Sequence, residues 1–350
     1  MATYKIALVP GDGIGNEIVD EGVRVLDAAA RAEGFQLEYT RFPYGAGYYK
    51  QTGKFMPEDA LDILRSFDAI YFGAVGLPDV DDRLPATCYT FRVRKGFEQY
   101  VNYRPVRIVP GVTSPLRGKQ AGDVDFVILR ENTEGEFSET GNIMHAEAPH
   151  GTALQISIFT RRGIERIAHY AFKLARKRKK LVTNVTKSNT LIHTMWYWDR
   201  LVAEVAEQYP DVRYEKMYVD NASANFVLRP ERFDVVVTTN MIGDILSDLG
   251  GAIMGSLGLG PSGNINPEKE YPSMFEPIHG SAPDIMGKGI ANPVSAIWSG
   301  ALMLEHLGET KAAQRIEQAI FKTMEAGVHT ADIGGTAKTK EVTDAILERV

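Results

Sequence analysis

Asp244 and Asp248 stand four residues apart in Thr238-Thr239-Asn240-Met241-Ile242-Gly243-Asp244-Ile245-Leu246-Ser247-Asp248. That spacing places two carboxylates on one helix face. Like charges so close repel unless a cation lies between them, and all-oxygen ligands suit Mg²⁺ or Mn²⁺. The alternative is a solvated acidic helix face. The preceding Phe233-Asp234-Val235-Val236-Val237 is short, apolar and β-branched, which predicts a buried strand, then a glycine turn and a helical start at Asp244. The acids therefore belong where a strand hands over to a helix.

Strand and helix patterns alternate along most of the chain. Strands are expected at 4–9, 35–41, 68–72, 125–129, 153–159, 180–185 and 212–219. Helices are expected at 16–32, from Pro57, at 162–176, 190–208, 293–306 and 311–326, with 255–272 as a Gly/Pro/Asn-rich loop. Such alternation implies an α/β architecture with largely parallel strands.

The chain has 350 residues, enough for two domains, and its hydrophobic (44%) and charged (24%) fractions suit an ordinary globular protein. A net charge of −6 argues against nucleic acid as the main partner. The basic run Arg176-Lys177-Arg178-Lys179-Lys180 is read as the solvated C-terminal end of a helix. One cysteine, Cys88, excludes an internal disulfide and fits a reducing cytosol. No apolar run reaches the roughly 18 to 20 residues that span a membrane, and the N-terminus carries no secretory signal. A cytoplasmic location is the expectation.

Pro10-Gly11-Asp12-Gly13-Ile14-Gly15-Asn16-Glu17 follows the first strand and opens a helix. The glycines run G-x-G-x-G, not the dinucleotide fingerprint G-x-G-x-x-G, and Glu38 is the nearest candidate for the usual ribose acid. A tight strand-to-helix turn explains the glycines as well as a ligand does.

A more specific segment is Phe275-Glu276-Pro277-Ile278-His279-Gly280-Ser281-Ala282-Pro283-Asp284-Ile285, followed by Gly287-Lys288-Gly289-Ile290-Ala291-Asn292-Pro293. With it the chain resembles the β-decarboxylating dehydrogenases, the family of isocitrate, 3-isopropylmalate, homoisocitrate and tartrate/D-malate dehydrogenases. The resemblance runs from the glycine turn to the final helices. Phe159-Thr160-Arg161-Arg162-Gly163-Ile164-Glu165-Arg166-Ile167 and Pro230-Glu231-Arg232-Phe233-Asp234-Val235-Val236-Val237 resemble the tartrate/D-malate branch most.

The resemblance implies a two-domain isocitrate/isopropylmalate dehydrogenase-like α/β fold with an active-site cleft between the domains. Residues 1–98 with 251–350 would form the NAD-binding domain. Residues 99–250 would carry substrate, metal and dimer contacts. It implies that Arg94, Arg104 and Arg130 grip substrate carboxylates, a task suited to planar guanidinium forks, with Thr90 at the variable end of the substrate. Lys187 is implied as catalytic base, and Asp220 as the third metal carboxylate beside Asp244 and Asp248. Lys187 and Asp220 would reach the site of the partner in a homodimer. His279, Gly280, Ser281, Ala282, Pro283, Asp284, Ile285 and Asn292 would bind the adenosine half of NAD. A carboxylate at Asp284 accepts ribose hydroxyls and repels a 2′-phosphate, which favours NAD over NADP.

Two departures from the family pattern stand out. Glu136 is followed by Phe137, where close relatives carry the tyrosine that returns a proton to the enol carbon. Phenylalanine has no proton to give, and Tyr89, Tyr103 or a bound water are the substitutes to consider. The segment Thr87-Cys88-Tyr89-Thr90-Phe91-Arg92 is more polar than an isopropyl pocket requires, with Arg92 either binding an extra anion or facing solvent. The expected activity is oxidation, with β-decarboxylation, of a (2R)-2-hydroxy dicarboxylate such as D-malate or tartrate, using NAD and Mg²⁺ or Mn²⁺. Two alternatives stand beside it: a dehydrogenase that releases the keto acid, and a non-catalytic regulatory subunit.

Overall fold

The computed structural model describes residues 2–350. Its frame is a ten-stranded sheet and a separate hairpin. The strands are β1 (Thr3–Gly11), β2 (Gln36–Arg41), β3 (Ala69–Ala74), β4 (Val101–Arg107), β5 (Asp125–Glu131), β6 (Gly135–Met144), β7 (Thr152–Ile158), β8 (Leu181–Thr186), β9 (Arg213–Tyr218), β10 (Val235–Thr238), β11 (Pro261–Ile265) and β12 (Ser273–Pro277). The sheet order is β2-β1-β3-β12-β11-β4-β5-β10-β8-β9, and β6 pairs with β7 alone. Parallel pairing holds at both ends, from β2 to β12 and from β5 to β9. The centre, β12-β11-β4-β5, is antiparallel.

Residues expected to form the first domain supply β2-β1-β3-β12-β11, and residues 99–250 supply the rest, so the expected boundary falls on the β11–β4 pairing. Strands β3, β8 and β10 are buried along their whole length because helices cover both sheet faces. Alternation along β1 sends Ile6 and Leu8 into the large core cluster and Ala7 and Val9 into a smaller one on the opposite face.

Four strands, β4, β6, β11 and β12, were hidden from the hydrophobic pattern. β4 carries a proline and several polar residues, and β11, Pro-Ser-Gly-Asn-Ile, has almost no strand propensity. Residues 255–272 are therefore not simply a loop, as expected; they hold a turn of 3₁₀ helix (Leu257–Leu259) and β11. Side-chain amides stabilise this seam in place of apolar packing. Asn102 donates to Ser262 Oγ (3.0 Å) and Asn264 Oδ1 (2.9 Å), Asn132 donates to Asn264 Oδ1 (2.9 Å), and Asn264 donates to Glu276 Oε1 (2.7 Å).

Other expectations shift in detail. The helix expected from Pro57 begins at Ala60. Gly243 is not in a turn but inside the helix Asn240–Met254, where a Cβ would meet the Arg130 Cβ at 2.6 Å. The basic run is not uniformly solvated. Arg178 donates to Asp234 Oδ1 (2.9 Å) and Asp125 Oδ1 (2.8 Å), and Asp234 is fully buried. Removing that cation leaves an unmatched interior carboxylate. Arg178→Met is therefore expected to cost about 3 to 5 kcal/mol in urea unfolding; a loss within about 0.5 kcal/mol, the range of ordinary surface substitutions, would show that Asp234 does not depend on it.

Candidate active site

The helix Asn240–Met254 starts directly after β10 and projects Asn240, Asp244, Ser247 and Asp248 toward β4 and β5. Two buried arginines meet them. Arg130, near the end of β5, donates Nε to Asn240 Oδ1 (2.7 Å) and Nη1 to Asp244. Arg104, on β4, donates Nη1 to Ser247 Oγ (2.5 Å) and lies 3.7 Å from Asp244 Oδ1 and 3.9 Å from Asp248 Oδ1. Gly243 makes the approach possible, because any side chain there would strike Arg130. The acidic pair is thus no freely solvated face, although Asp248 keeps 60% of its side chain exposed.

Electrostatics make the cluster hungry for an anion. Burial pulls the Arg130 guanidinium down to about 9, with Arg104 and Arg94 adding repulsion against the attraction of Asp244. Burial pushes the Asp244 carboxyl up, but Arg130, Arg104 and Arg94 together outweigh it and hold the group below its ordinary value. Burial raises Asp248, and the neighbouring Asp244 adds to this while Arg104 opposes it. Arg94 is also buried and pairs with Glu276 at 2.7 Å. The Nε atoms of Arg94 and Arg104 are buried without a protein acceptor, a donor surplus that carboxylate oxygens would satisfy.

Phe137 lies beside this cluster. The Arg130 guanidinium stands 5.6 Å from its ring centre, and the ring stacks on Phe91 at 5.5 Å and 21°. Lys95 donates to the Phe137 carbonyl (3.2 Å) and to Glu139. Of the substitute tyrosines, Tyr103 is excluded by the strand pleat. It alternates with Arg104 on β4 and faces the side of Arg178, Arg107 and Glu305. Tyr89 is fully buried with no hydrogen-bond partner, and burial, then Glu276, pushes its hydroxyl well above the ordinary phenol value. A hydroxyl so reluctant to ionise is a poor acid at neutral pH. Arg92 Nη2 donates to the Glu58 carbonyl (2.8 Å) in a bond open to solvent.

Lys187, just after β8, and Asp220, at the start of the helix Val219–Leu228, meet each other at 2.5 Å. The hydrogen bond from Lys187 holds the Asp220 carboxyl below its ordinary value. They do not complete the Asp244/Asp248 set within one chain: no group of three His, Cys, Asp or Glu positioned for a metal occurs among the described residues. Exposed apolar side chains follow each member in sequence, Leu191 and Ile192 after Lys187, Val227 and Leu228 after Asp220, and Ile245 beside Asp244.

The glycine turn proves to be a docking point. Asp12 accepts the backbone N–H groups of Ala46 (2.7 Å), Gly47 (2.8 Å) and Gly76 (2.9 Å). Gly13 has φ +59°, a Cβ there would meet the Ser281 carbonyl oxygen at 1.9 Å, and Ile14 N–H donates to that oxygen at 2.9 Å. Glu17 accepts N–H bonds from Gly287 and Gly289, which fixes the loop after Asp284. Glu38 lies exposed on the edge strand β2, paired with Lys5, and takes no part.

Two cavities flank this segment. Thr90, Gly76, Pro85, Ser281 and Pro283 line one of about 470 Å³. Ile14, His279, Ala282, Ile285, Asn292 and Asp332 line one of about 270 Å³. Asp284 is exposed between Pro283 of the first and Ile285 of the second, and Ala282 takes a left-handed backbone, φ +39°. Burial lowers the His279 imidazole, and its Nδ1–H donates to the Gly280 carbonyl (2.9 Å), leaving Nε2 a buried acceptor without a partner. Asn292 is fixed by donating to Asp332 (3.0 Å) and accepting the Val294 N–H (3.0 Å). Asp332 also accepts from Ser256 and Thr330, both at 2.5 Å. Nothing in the sequence around Asp332 links it to this pocket.

A family model for "Isocitrate/isopropylmalate dehydrogenase" matches residues 5–346. The chain is 51% identical to D-malate dehydrogenase (decarboxylating) of Escherichia coli strain K12 over 99% of both chains. It is 50% identical to tartrate dehydrogenase/decarboxylase of Pseudomonas putida, over 99% of this chain and 97% of that one. The crystal structure of isocitrate dehydrogenase from Methylococcus capsulatus superposes with a TM-score of 0.90 at 37% identity, covering 99% of each chain. The Gly13 contact offers a local test. Gly13→Ala is expected to accelerate hydrogen exchange at Ile14, Gly287 and Gly289 and to cost about 1 to 3 kcal/mol of stability; unchanged exchange would show that this turn does not hold the segment.

Proposed function

Because the chain belongs to the isocitrate/isopropylmalate dehydrogenase family, we propose that it oxidises and β-decarboxylates a (2R)-2-hydroxy dicarboxylate such as D-malate or tartrate. The observation that carries this reading is the set of three buried arginines, two with unpartnered Nε donors, beside two aspartates on one helix face. Arg94, Arg104 and Arg130 bind the substrate carboxylates as bidentate forks, and the Arg130–Asp244 pair loosens as they do. Asp244 and Asp248, with Asp220 of a second copy, hold Mg²⁺ or Mn²⁺; hard oxygen donors fit such an ion, and one chain offers only part of the set. Bound there, the ion supplies Lewis acidity toward the substrate hydroxyl and ketone. Lys187, tied to Asp220, takes the hydroxyl proton. NAD, the hydride acceptor, is supported by Asp284 between the two cavities and by the neutral His279 with its free Nε2.

The dimer follows from the same requirement. Lys187 and Asp220 lie next to unpartnered apolar side chains and apart from the arginine cluster of their own chain, so they serve a neighbour's site. The two arms of the sheet then act as the two domains, divided at the β11–β4 pairing. D-malate and tartrate are favoured over isopropylmalate because the Thr90 region is polar and relatives named for those two substrates are about half identical to this chain.

Phe137 favours a second reading. It occupies the edge of the site without a hydroxyl, so oxidation can proceed while the enolate that C–C cleavage would form lacks a protein acid, and the β-keto acid leaves first. Measuring NADH and CO₂ together on D-malate, tartrate, isocitrate and isopropylmalate with Mn²⁺ separates the cases. The proposal expects both products, with D-malate or tartrate preferred. NADH without CO₂ supports release of the keto acid, and no NADH on any of the four supports a non-catalytic subunit. General-acid catalysis is worth roughly 10² to 10⁴ in rate, so Phe137→Tyr is expected to raise complete turnover at least tenfold; an unchanged rate would remove position 137 from the proton step.

A further inference from the structure

A cavity of about 690 Å³ lies apart from those described above. Tyr170, which lines it, influences Tyr103 and not Arg104, so the cavity opens on the sheet face opposite the arginine–aspartate cluster. One wall is the helix Arg161–Arg176 with Lys177, the other Tyr100, Pro267 and Glu268. Pro267 and Glu268 belong to the connection between β11 and β12, and the helix belongs to residues 99–250. The cavity therefore straddles the seam between the two arms of the sheet.

Its charge runs against that of the protein. Arg166, Lys173 and Lys177 project along one helix face in a chain of net charge −6. Between them lies His169, whose imidazole is lowered by burial and hydrogen-bonded to the Tyr209 hydroxyl (3.0 Å). Neighbouring cations are matched elsewhere: Arg162 by Glu98, Arg176 by Asp211, Arg178 by Asp125 and Asp234. Lys173 and Lys177 have no carboxylate within ion-pair distance among the described residues, and four residues apart they repel. Arg166 is pre-set. Its guanidinium lies 4.2 Å from the ring centre of Tyr100, its Nη atoms bond Glu98 (3.1 Å) and Thr133 (2.7 Å), and its buried Nε has no acceptor. The one lining carboxylate, Glu268, is engaged by the Tyr100 hydroxyl at 2.7 Å. Two unmatched ammonium groups, a buried unpartnered guanidinium N–H and a tyrosine-walled space larger than a single phosphate form an oxyanion-binding pattern.

We infer that this cavity is a second ligand site, which takes a small polyanion bearing phosphate or several carboxylates. The ligand is held by Lys173, Lys177 and the Arg166 Nε–H on one arm and packs against Pro267 of the other. It touches neither the arginine cluster nor the dinucleotide segment, and the inference does not depend on the proposed reaction.

Isothermal titration of the full-length protein without substrate, using pyrophosphate, ATP and citrate as separate probes, tests it. At least one probe is expected to bind the wild type. Lys173→Glu combined with Lys177→Glu is expected to weaken that binding on the order of 10- to 100-fold, a loss of about 1.4 to 2.8 kcal/mol. The gentler pair Lys173→Gln and Lys177→Gln should give an intermediate loss, which guards against misfolding of the charge-reversed protein. Arg104→Met is expected to leave the same binding in place, because it alters only the opposite face. Preference for pyrophosphate and ATP identifies a phosphate ligand, and preference for citrate a polycarboxylate. The inference is overturned if no probe binds at millimolar concentration, or if both lysine double variants bind as tightly as the wild type.

Discussion

A guanidinium buried as deeply as those of Arg104 and Arg130 needs negative charge beside it, since an unmatched interior cation costs several kcal/mol. Here that charge comes from a helix whose first turns face the ends of β4 and β5. Asp244 is held by both arginines, and Asp248 is left half free toward solvent. The charges balance, three arginines against two aspartates and one glutamate, but the hydrogen bonding does not: two guanidinium Nε atoms remain without acceptors. On the proposed function, a dicarboxylate would meet that residual demand, and a divalent ion would relieve the crowding of Asp244 and Asp248.

Holding those groups in place falls to polar contacts more than to apolar packing. The antiparallel centre of the sheet is joined by Asn102, Asn132, Asn264 and Glu276, and Glu276 passes directly to Arg94. Arg104 itself sits on β4, within this seam. The same economy recurs at Asp12, which ties the glycine turn to two other segments, and at Asp332, which secures Asn292. Buried polar networks of this kind fix one geometry because any slip strands a donor or acceptor.

The sequence made the parallel arms legible, because β1, β3, β5, β8 and β10 are apolar runs and their helices carry a clear 3.6-residue period. It hid β4, β11 and β12, whose strand character rests on partners distant in sequence, and β6, whose Gly-Glu-Phe-Ser-Glu-Thr-Gly-Asn run is polar and largely exposed. The Asp244/Asp248 spacing could be read directly, and its meeting with Arg104 and Arg130 is a tertiary fact that resemblance anticipated. Gly243 was misread as a turn because a glycine's reason, here the close approach of Arg130, lies on another strand. Asp332 left no local trace at all. Tyr103 looked like a candidate acid until the pleat put it on the far face.

Under the proposed function, Asp244 and Asp248, facing the buried arginines, form a joint site for a divalent ion and a dicarboxylate. Mn²⁺ binding followed by electron paramagnetic resonance, with and without D-malate, tests this most directly. Wild-type protein should bind Mn²⁺ and bind it more tightly when D-malate is present, and Asp244→Asn should lose both effects. Equal Mn²⁺ affinity in wild type and Asp244→Asn, indifferent to D-malate, would rule out a joint site at these residues.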